Sequence, residues 1–177
     1  IDTGLDLSMK EEIITSRKAP NGIDVSSGHQ DLSLLLGTST AEDRRGHGTI
    51  VGGIAAARGG NNQLGAGVAF HSSVIPINVF GASRFTPKDV IAKGLVAAYF
   101  LETDVVNISL GCSRCRPSKE RQARLYFGKV IDSLEKQFKK DNLTPPIVVA
   151  ATGNDGEGIV DSPASDPRVI GVGSYNY

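Results

Sequence analysis

Short apolar runs alternate with longer amphipathic segments along this chain. The runs are rich in Val, Ile and Ala, as in strands buried on both faces, and they lie at Val74 to Val79, Val105 to Ile108, Ile147 to Ala151 and Val169 to Val172. Helical patterns occupy most of the intervals between them. Because this alternation is typical of crossover units, we predict the α/β class, with a three-layer, mostly parallel sheet and helices on both faces.

Three helices are predicted in those intervals. The first follows His47 and is rich in Gly and Ala, which let a neighbouring backbone approach closely. The second begins at Thr86-Pro87, a capping residue followed by proline at the first helical position, and should end near Leu101. The third covers residues 118 to 140, where apolar residues recur at helical spacing and Lys and Glu fill the other face.

The remaining stretch and the two ends are less regular. Residues 7 to 45 show only weak periodicity, so they are either functional surface or contain an element that the pattern does not reveal. Ile1 reads as the last residue of a strand, and the sequence stops at Tyr177 directly after another one. We therefore expect a single partial domain over residues 1–177, incomplete at both ends.

Composition and charge narrow the function classes. The chain has 177 residues, of which 40% are apolar, and its 19 basic residues balance its 19 acidic ones. A formal charge of zero provides no field to attract a polyanion, so we expect no nucleic-acid partner. Every apolar stretch is shorter than the roughly 18 residues that a membrane span needs, so no such span is predicted in this segment.

Three short motifs carry the candidate chemistry. Asp2-Thr3-Gly4 follows a strand end, Gly46 to Thr49 opens the first helix, and Thr152-Gly153-Asn154 follows the strand that ends at Ala151. Reactive groups of parallel sheets commonly lie at the carboxyl ends of strands. An imidazole can move a proton, a carboxylate can orient that imidazole, and a carboxamide can stabilise an oxyanion. Together these residue types point to acyl transfer.

The ordered motifs resemble the catalytic domain of subtilisin-like serine proteases, the subtilase family. The histidine motif continues to Gly53, Asn61-Asn62 precedes Gly65 to Ala69, Asn107 to Gly111 is similar to the substrate-binding strand, and Ser162 to Gly173 is similar to the segment after the oxyanion asparagine. The resemblance covers nearly the whole chain. It implies a serine endopeptidase that takes a polypeptide substrate and needs no cofactor for its chemistry.

The resemblance also assigns roles to residues. Asp2 would orient the imidazole, His47 would be the general base and acid, and Asn154 would donate to the oxyanion. An extended substrate would add as a strand between two walls. The substrate-binding residues are Ser109, Leu110 and Gly111 in one wall, and Ala151, Thr152 and Gly153 in the other.

The nucleophile is absent from its expected place. The family's serine lies several tens of residues beyond the asparagine, so we expect it, with the rest of the C-terminal part, beyond this chain. Gly37 to Ala41 matches the first positions of the serine motif, but Ser39 lies upstream of His47, and a polar loop is favoured. This segment alone should therefore be inactive. A protease-like module that binds peptides without cleaving them is the alternative, and a nucleotide-binding sheet is a third class.

Cysteines and metals leave alternatives open. Cys112 and Cys115 are consistent with a small loop disulfide, two free thiols, a redox pair or a metal site. The resemblance makes structural calcium the cofactor to consider, with Asn61 and Asn62 as oxygen donors, although a Gly-Asn turn fits equally well. The resemblance also favours a secreted or periplasmic location.

Overall fold

The computed structural model describes residues 1–27, 31, 35, 39–63, 65–111, 117–156 and 158–174. Contacts group these residues into two compact units, Ile1–Ala97 and Ala98–Tyr177. The strands are β1 (Ile23–Asp24), β2 (Ile77–Asn78), β3 (Val105–Ile108), β4 (Ile147–Ala151) and β5 (Ile170–Val172). The helices are α1 (His47–Ala56), α2 (Lys88–Phe100) and α3 (Pro117–Lys140), and a 3-10 helix covers Leu7–Met9.

In the first unit, the start of the chain lies beside β2. Strands β1 and β2 are parallel, with Ile23 opposite Ile77. Asp2 N–H donates to Ile77 O at 3.0 Å, and Asp2 O accepts from Val79 N–H at 3.0 Å. These two bonds hold Asp2 in a strand-like position. The buried apolar side chains of this unit include Leu5, Ile13, Ile23, Val25, Ile77 and Val79.

In the second unit, β3, β4 and β5 form one parallel sheet in that order. The register pairs Ile108 with Ala150 and Ala151 with Val172, so the carboxyl ends of neighbouring strands lie side by side. Helix α3 buries its apolar stripe, and Phe138 meets Tyr99 edge to face with ring centroids 4.9 Å apart. The predicted α/β class with parallel strands is confirmed.

Several element boundaries differ from the predicted ones. Strands β3 and β4 have the predicted bounds, but only Ile77–Asn78 of the predicted Val74 to Val79 strand is paired as a strand. Pro76 has no N–H to donate, which limits regular pairing there. The last strand begins at Ile170 because Val169 N–H instead closes a turn onto Asp166 O. Strand β1 was not predicted, since two residues are too few to show an alternating pattern.

Candidate active site

Asp2 and His47 are in direct contact within the first unit. Asp2 Oδ1 lies 2.7 Å from His47 Nδ1, and the same oxygen accepts from Thr3 N–H at 2.7 Å. The Asp2 side chain is 9% exposed and the His47 side chain 58%. A carboxylate at Nδ1 favours the tautomer with its proton on that nitrogen, which leaves Nε2 as the basic atom. The pair therefore presents an accessible imidazole that is oriented by a buried acid.

Glycine is required where helix α1 meets the Asp2 turn. A Cβ at Gly48 would lie 2.2 Å from Gly4 O and 3.2 Å from Asp2 Cβ. Gly48 N–H also donates to Thr3 Oγ1 at 2.9 Å. Gly46, which precedes the helix, has a φ of 85°, a left-handed conformation that glycine adopts without strain. These glycines thus allow the first turn of α1, and His47 with it, to lie against Asp2.

A second carboxylate, Asp43, holds the Asp2 turn and the histidine helix together. It accepts from Thr3 Oγ1 at 2.9 Å and from Thr49 Oγ1 at 2.7 Å. It also accepts from the backbone N–H groups of Thr49, Arg45 and Gly46, each at 2.9 Å. Asp43 therefore positions the two elements that carry Asp2 and His47.

The ionisation of Asp43 follows from these contacts. Its partial burial would raise the pKa, but the hydrogen bonds from Thr49, Arg45 N–H and Thr3 outweigh that effect and lower the pKa to about 2. The carboxylate is thus charged throughout the neutral range. The positioning role of Asp43 was not predicted from the sequence. The available signal was an acid just before the first turn of a helix, where negative charge is favourable.

The predicted substrate walls and Asn154 belong to the second unit. Ser109 to Gly111 follows β3, and Thr152 with Gly153 follows β4, so both segments leave the same edge of the sheet. Thr152 N–H donates to Val172 O at 3.0 Å, which ties its wall to β5. Asn154 is exposed in the turn beyond Gly153. The two segments and the asparagine thus follow adjacent strands, and their roles in binding the substrate and the oxyanion stay predictions.

The serine that precedes His47 in sequence is engaged elsewhere. Ser39 Oγ donates to Leu35 O at 2.8 Å and accepts from Asp24 N–H at 3.2 Å. Its hydroxyl therefore joins the loop to β1. Gly37 and Thr38 of the same motif lie outside the described residues. These contacts favour the polar-loop interpretation of Ser39.

Comparison with known proteins identifies the family. The family model described as Peptidase_S8, subtilase family, matches residues 1–177. The chain belongs to the subtilase family. It is 33% identical over 155 residues to subtilisin Savinase of Lederbergia lenta, covering 84% of this chain and 51% of that protein. It is 27% identical over 176 residues to the cell wall-associated protease of Bacillus subtilis (strain 168), covering 99% of this chain and 17% of that protein.

Solved structures show the same relationship for this subtilase. The epidermin leader peptide processing serine protease EpiP from Staphylococcus aureus has a TM-score of 0.66 and 26% identity, over 98% of this chain and 45% of that one. The predicted resemblance to subtilisin-like proteases is confirmed. This chain spans about half or less of the length of the relatives named here, which share 51%, 17% and 45% of their length with it.

One of the residues expected near calcium, Asn61, contacts a buried acid that the sequence did not reveal. Asn61 Nδ2 donates to Glu12 Oε2 at 2.8 Å, and Glu12 is only 8% exposed. Glu12 Oε1 is buried and has no hydrogen-bond partner among the described residues. Calcium prefers such oxygen donors. An unpaired buried carboxylate oxygen thus suits the ion, while the described part of the chain holds no cluster of three acidic, His or Cys ligands.

The other metal and redox candidates carry no such support. Cys112, Cys115 and His29 lie outside the described residues. His71 is exposed, and its ring lies 4.3 Å from that of Phe70. No helix in the described ranges is long and apolar enough to cross a membrane.

Proposed function

We propose that the full-length protein is a serine endopeptidase that hydrolyses peptide bonds through an acyl-enzyme. The observation that carries this proposal is the 2.7 Å contact between Asp2 Oδ1 and His47 Nδ1. Membership of the subtilase family supports it, because relatives are named as proteases. The nucleophile is a serine that follows residue 177 in the full-length protein.

The proposed reaction assigns each group one task. His47 Nε2 removes the proton from the serine hydroxyl as Oγ bonds to the substrate carbonyl carbon, and Asp2 stabilises the imidazolium that forms. Asn154 donates its amide N–H to the oxyanion of the tetrahedral intermediate. His47 then returns the proton to the leaving amine as the C–N bond breaks. Water, activated by the same imidazole, hydrolyses the acyl-enzyme.

The proposed substrate-binding segments lie at the carboxyl ends of β3 and β4. In the proposal, an extended polypeptide adds as a strand between the segments Ser109 to Gly111 and Ala151 to Gly153. Main-chain hydrogen bonds supply affinity in this mode, and side-chain pockets supply selectivity. The selectivity of the enzyme therefore depends on the groups that lie behind these walls.

Covalent labelling with an alkyl fluorophosphonate tests the proposed function. We expect one adduct per molecule on a serine beyond residue 177, because an acylating serine also attacks phosphorus. Peptide mapping by mass spectrometry locates the adduct. Ser39→Ala is the control and should label like the unmodified protein. An adduct on Ser39 would show that the nucleophile is not the serine beyond residue 177. Peptide binding with neither an adduct nor hydrolysis would identify a non-catalytic binding module.

We also propose a structural calcium ion held by Glu12 and the Asn61-Asn62 loop. Calcium should raise the melting temperature of the full-length protein, since an ion that binds only the folded state stabilises it. Glu12→Gln should abolish most of that increase, and Glu11→Gln, at the exposed neighbouring position, should not. Scanning calorimetry with and without a chelator measures both. Equal increases in the two variants would rule out Glu12 as a ligand.

The cellular location stays a prediction. Relatives include a cell wall-associated protease and a major intracellular serine protease of Bacillus subtilis (strain 168). Their names therefore indicate no single compartment for this chain. Immunodetection of the full-length protein in fractionated source cells would test the secreted or periplasmic location.

A further inference from the structure

A buried carboxylate, Asp161, lies close to one glycine of each predicted substrate wall. A Cβ at Gly111 would lie 2.7 Å from Asp161 Oδ2, and a Cβ at Gly153 would lie 2.4 Å from the same atom. Both glycines therefore leave room for this carboxylate. The backbone fixes its segment, because Asp161 N–H donates to Thr152 O at 2.9 Å and Asp161 O accepts from Ser165 N–H at 3.0 Å.

One oxygen of this carboxylate is buried and unpaired among the residues that the structure describes. Asp161 is only 2% exposed, and its Oδ2 has no hydrogen-bond partner among the described residues. A buried ionised carboxylate is costly unless it is paired. The cation described in the same segment, Arg168, is bonded to Asp166 instead, with Nε to Oδ1 at 2.9 Å and Nη2 to Oδ2 at 2.9 Å. Asp161 Oδ2, which lies against both glycines, is therefore an unpaired acceptor within the described part of the chain.

Two acidic residues, Glu120 and Asp155, act electrostatically on Asp161. Burial, followed by the charges of Glu120 and Asp155, raises the pKa of Asp161 to about 6. Glu120 Oε1 accepts from the hydroxyl groups of Ser162 and Ser165, whereas its Oε2 is buried without a described partner. Two serine hydroxyls therefore fix Glu120 without neutralising it. A positive ligand group would relieve the repulsion among these acids and favour the charged form of Asp161.

We propose that Asp161 is a specificity-determining residue that binds the cationic side chain of a lysine or arginine in the polypeptide substrate. The substrate strand would lie between the walls, and one of its side chains would point past Gly111 and Gly153 to Asp161 Oδ2. Glu120 contributes negative potential at Asp161 and makes no direct bond to the substrate side chain in this arrangement. This inference rests on the proposed peptidase function, which requires a polypeptide between the same walls.

Matched peptide substrates test the inference on the full-length protein. Each fluorogenic peptide carries Lys, Arg or the uncharged Met at one position, and that position is scanned on both sides of the cleaved bond. We expect kcat/KM for Lys or Arg to exceed that for Met by about 10- to 100-fold at one position, as for a hydrogen bond to a charged group. Asp161→Asn should bring that ratio close to one while Met peptides are still cleaved.

Asp166→Asn is the matched control. Asp166 is a buried acid in the same segment, but it already pairs with Arg168. Its replacement should leave the Lys-to-Met ratio unchanged even if stability falls, because a ratio within one variant does not depend on the folded fraction. Equal kcat/KM for Lys, Arg and Met peptides in the unmodified protein would overturn the inference. An unchanged ratio in Asp161→Asn would overturn it as well.

Calorimetry separates this inference from the proposed function. Nα-acetyl-arginine amide should bind the full-length protein, and Asp161→Asn should weaken that binding at least about tenfold. If no peptide is cleaved but this binding is seen, the peptidase proposal fails and the anionic pocket stands. If peptides are cleaved but the arginine compound does not bind, the pocket assignment fails alone. If Asp161→Asn abolished calcium binding and left the binding of the arginine compound unchanged, the assignment of Asp161 to a cationic side chain would also be overturned.

Discussion

Replacing His47 by alanine is expected to reduce peptide hydrolysis by the full-length protein roughly 10⁶-fold in kcat, the size of the loss measured when the triad histidine of subtilisin is removed. In the proposed reaction, the imidazole held by Asp2 at 2.7 Å takes the proton from the nucleophile, so its removal eliminates the general base. Without it, the serine attacks as a poorly reactive neutral alcohol. Initial rates on a fluorogenic peptide at saturating concentration measure the effect.

The control for this substitution is His71→Ala. His71 is an exposed histidine of the same unit whose ring lies against Phe70, so its loss should leave kcat unchanged. Circular dichroism of both variants checks that they are folded. A folded His47→Ala protein that kept more than about one per cent of the activity would contradict the role of His47 as the general base.

Gly48→Ala is expected to destabilise the full-length protein by about 3 kcal/mol and to remove most of its activity. The added methyl group would lie 2.2 Å from Gly4 O and 3.0 Å from Gly4 N, and backbone atoms cannot rotate away as a flexible side chain can. Helix α1 would have to shift, and His47 would move with it. Urea denaturation measures the free energy of unfolding.

Gly53→Ala, in the same helix, provides the opposite expectation. A Cβ at Gly53 would meet no described heavy atom within 4 Å. Alanine in a helix interior is favoured over glycine by about 0.5 to 1 kcal/mol, so this variant should be slightly more stable. If both variants changed stability in the same direction, the close approach at Gly48 would not be the cause of its effect.

The sequence predicted the regular elements best where composition and spacing agree. Strands β3 and β4 have the predicted bounds because each is a short run rich in Val, Ile or Ala that follows polar or turn residues. Strand β1 escaped prediction because it has only two residues and owes its existence to Pro76 O and Asn78 O, which accept from Ile23 and Val25 N–H groups. Such pairing depends on a partner that is remote in sequence.

The candidate site was predictable only in part for a similar reason. Asp2, His47 and Asn154 lie in local motifs, and their order matched a family. Asp43 and Asp161 belong to no motif that reveals their roles. Asp43 acts by joining Thr3 to Thr49, and Asp161 is defined by its approach to Gly111 and Gly153. These roles arise from contacts through space, and a sequence pattern of polar residues in loops does not show them.

The division of the chain into Ile1–Ala97 and Ala98–Tyr177 has a consequence for how this lineage can diverge. The first segment contains Asp2, Asp43 and His47. The second segment contains Asp161 and its neighbours Gly111 and Gly153. Under the proposals above, substitutions near Asp161 would change which substrate side chain is selected and would leave the Asp2–His47 pair unaltered in sequence, because different stretches of the gene encode the two sets of residues.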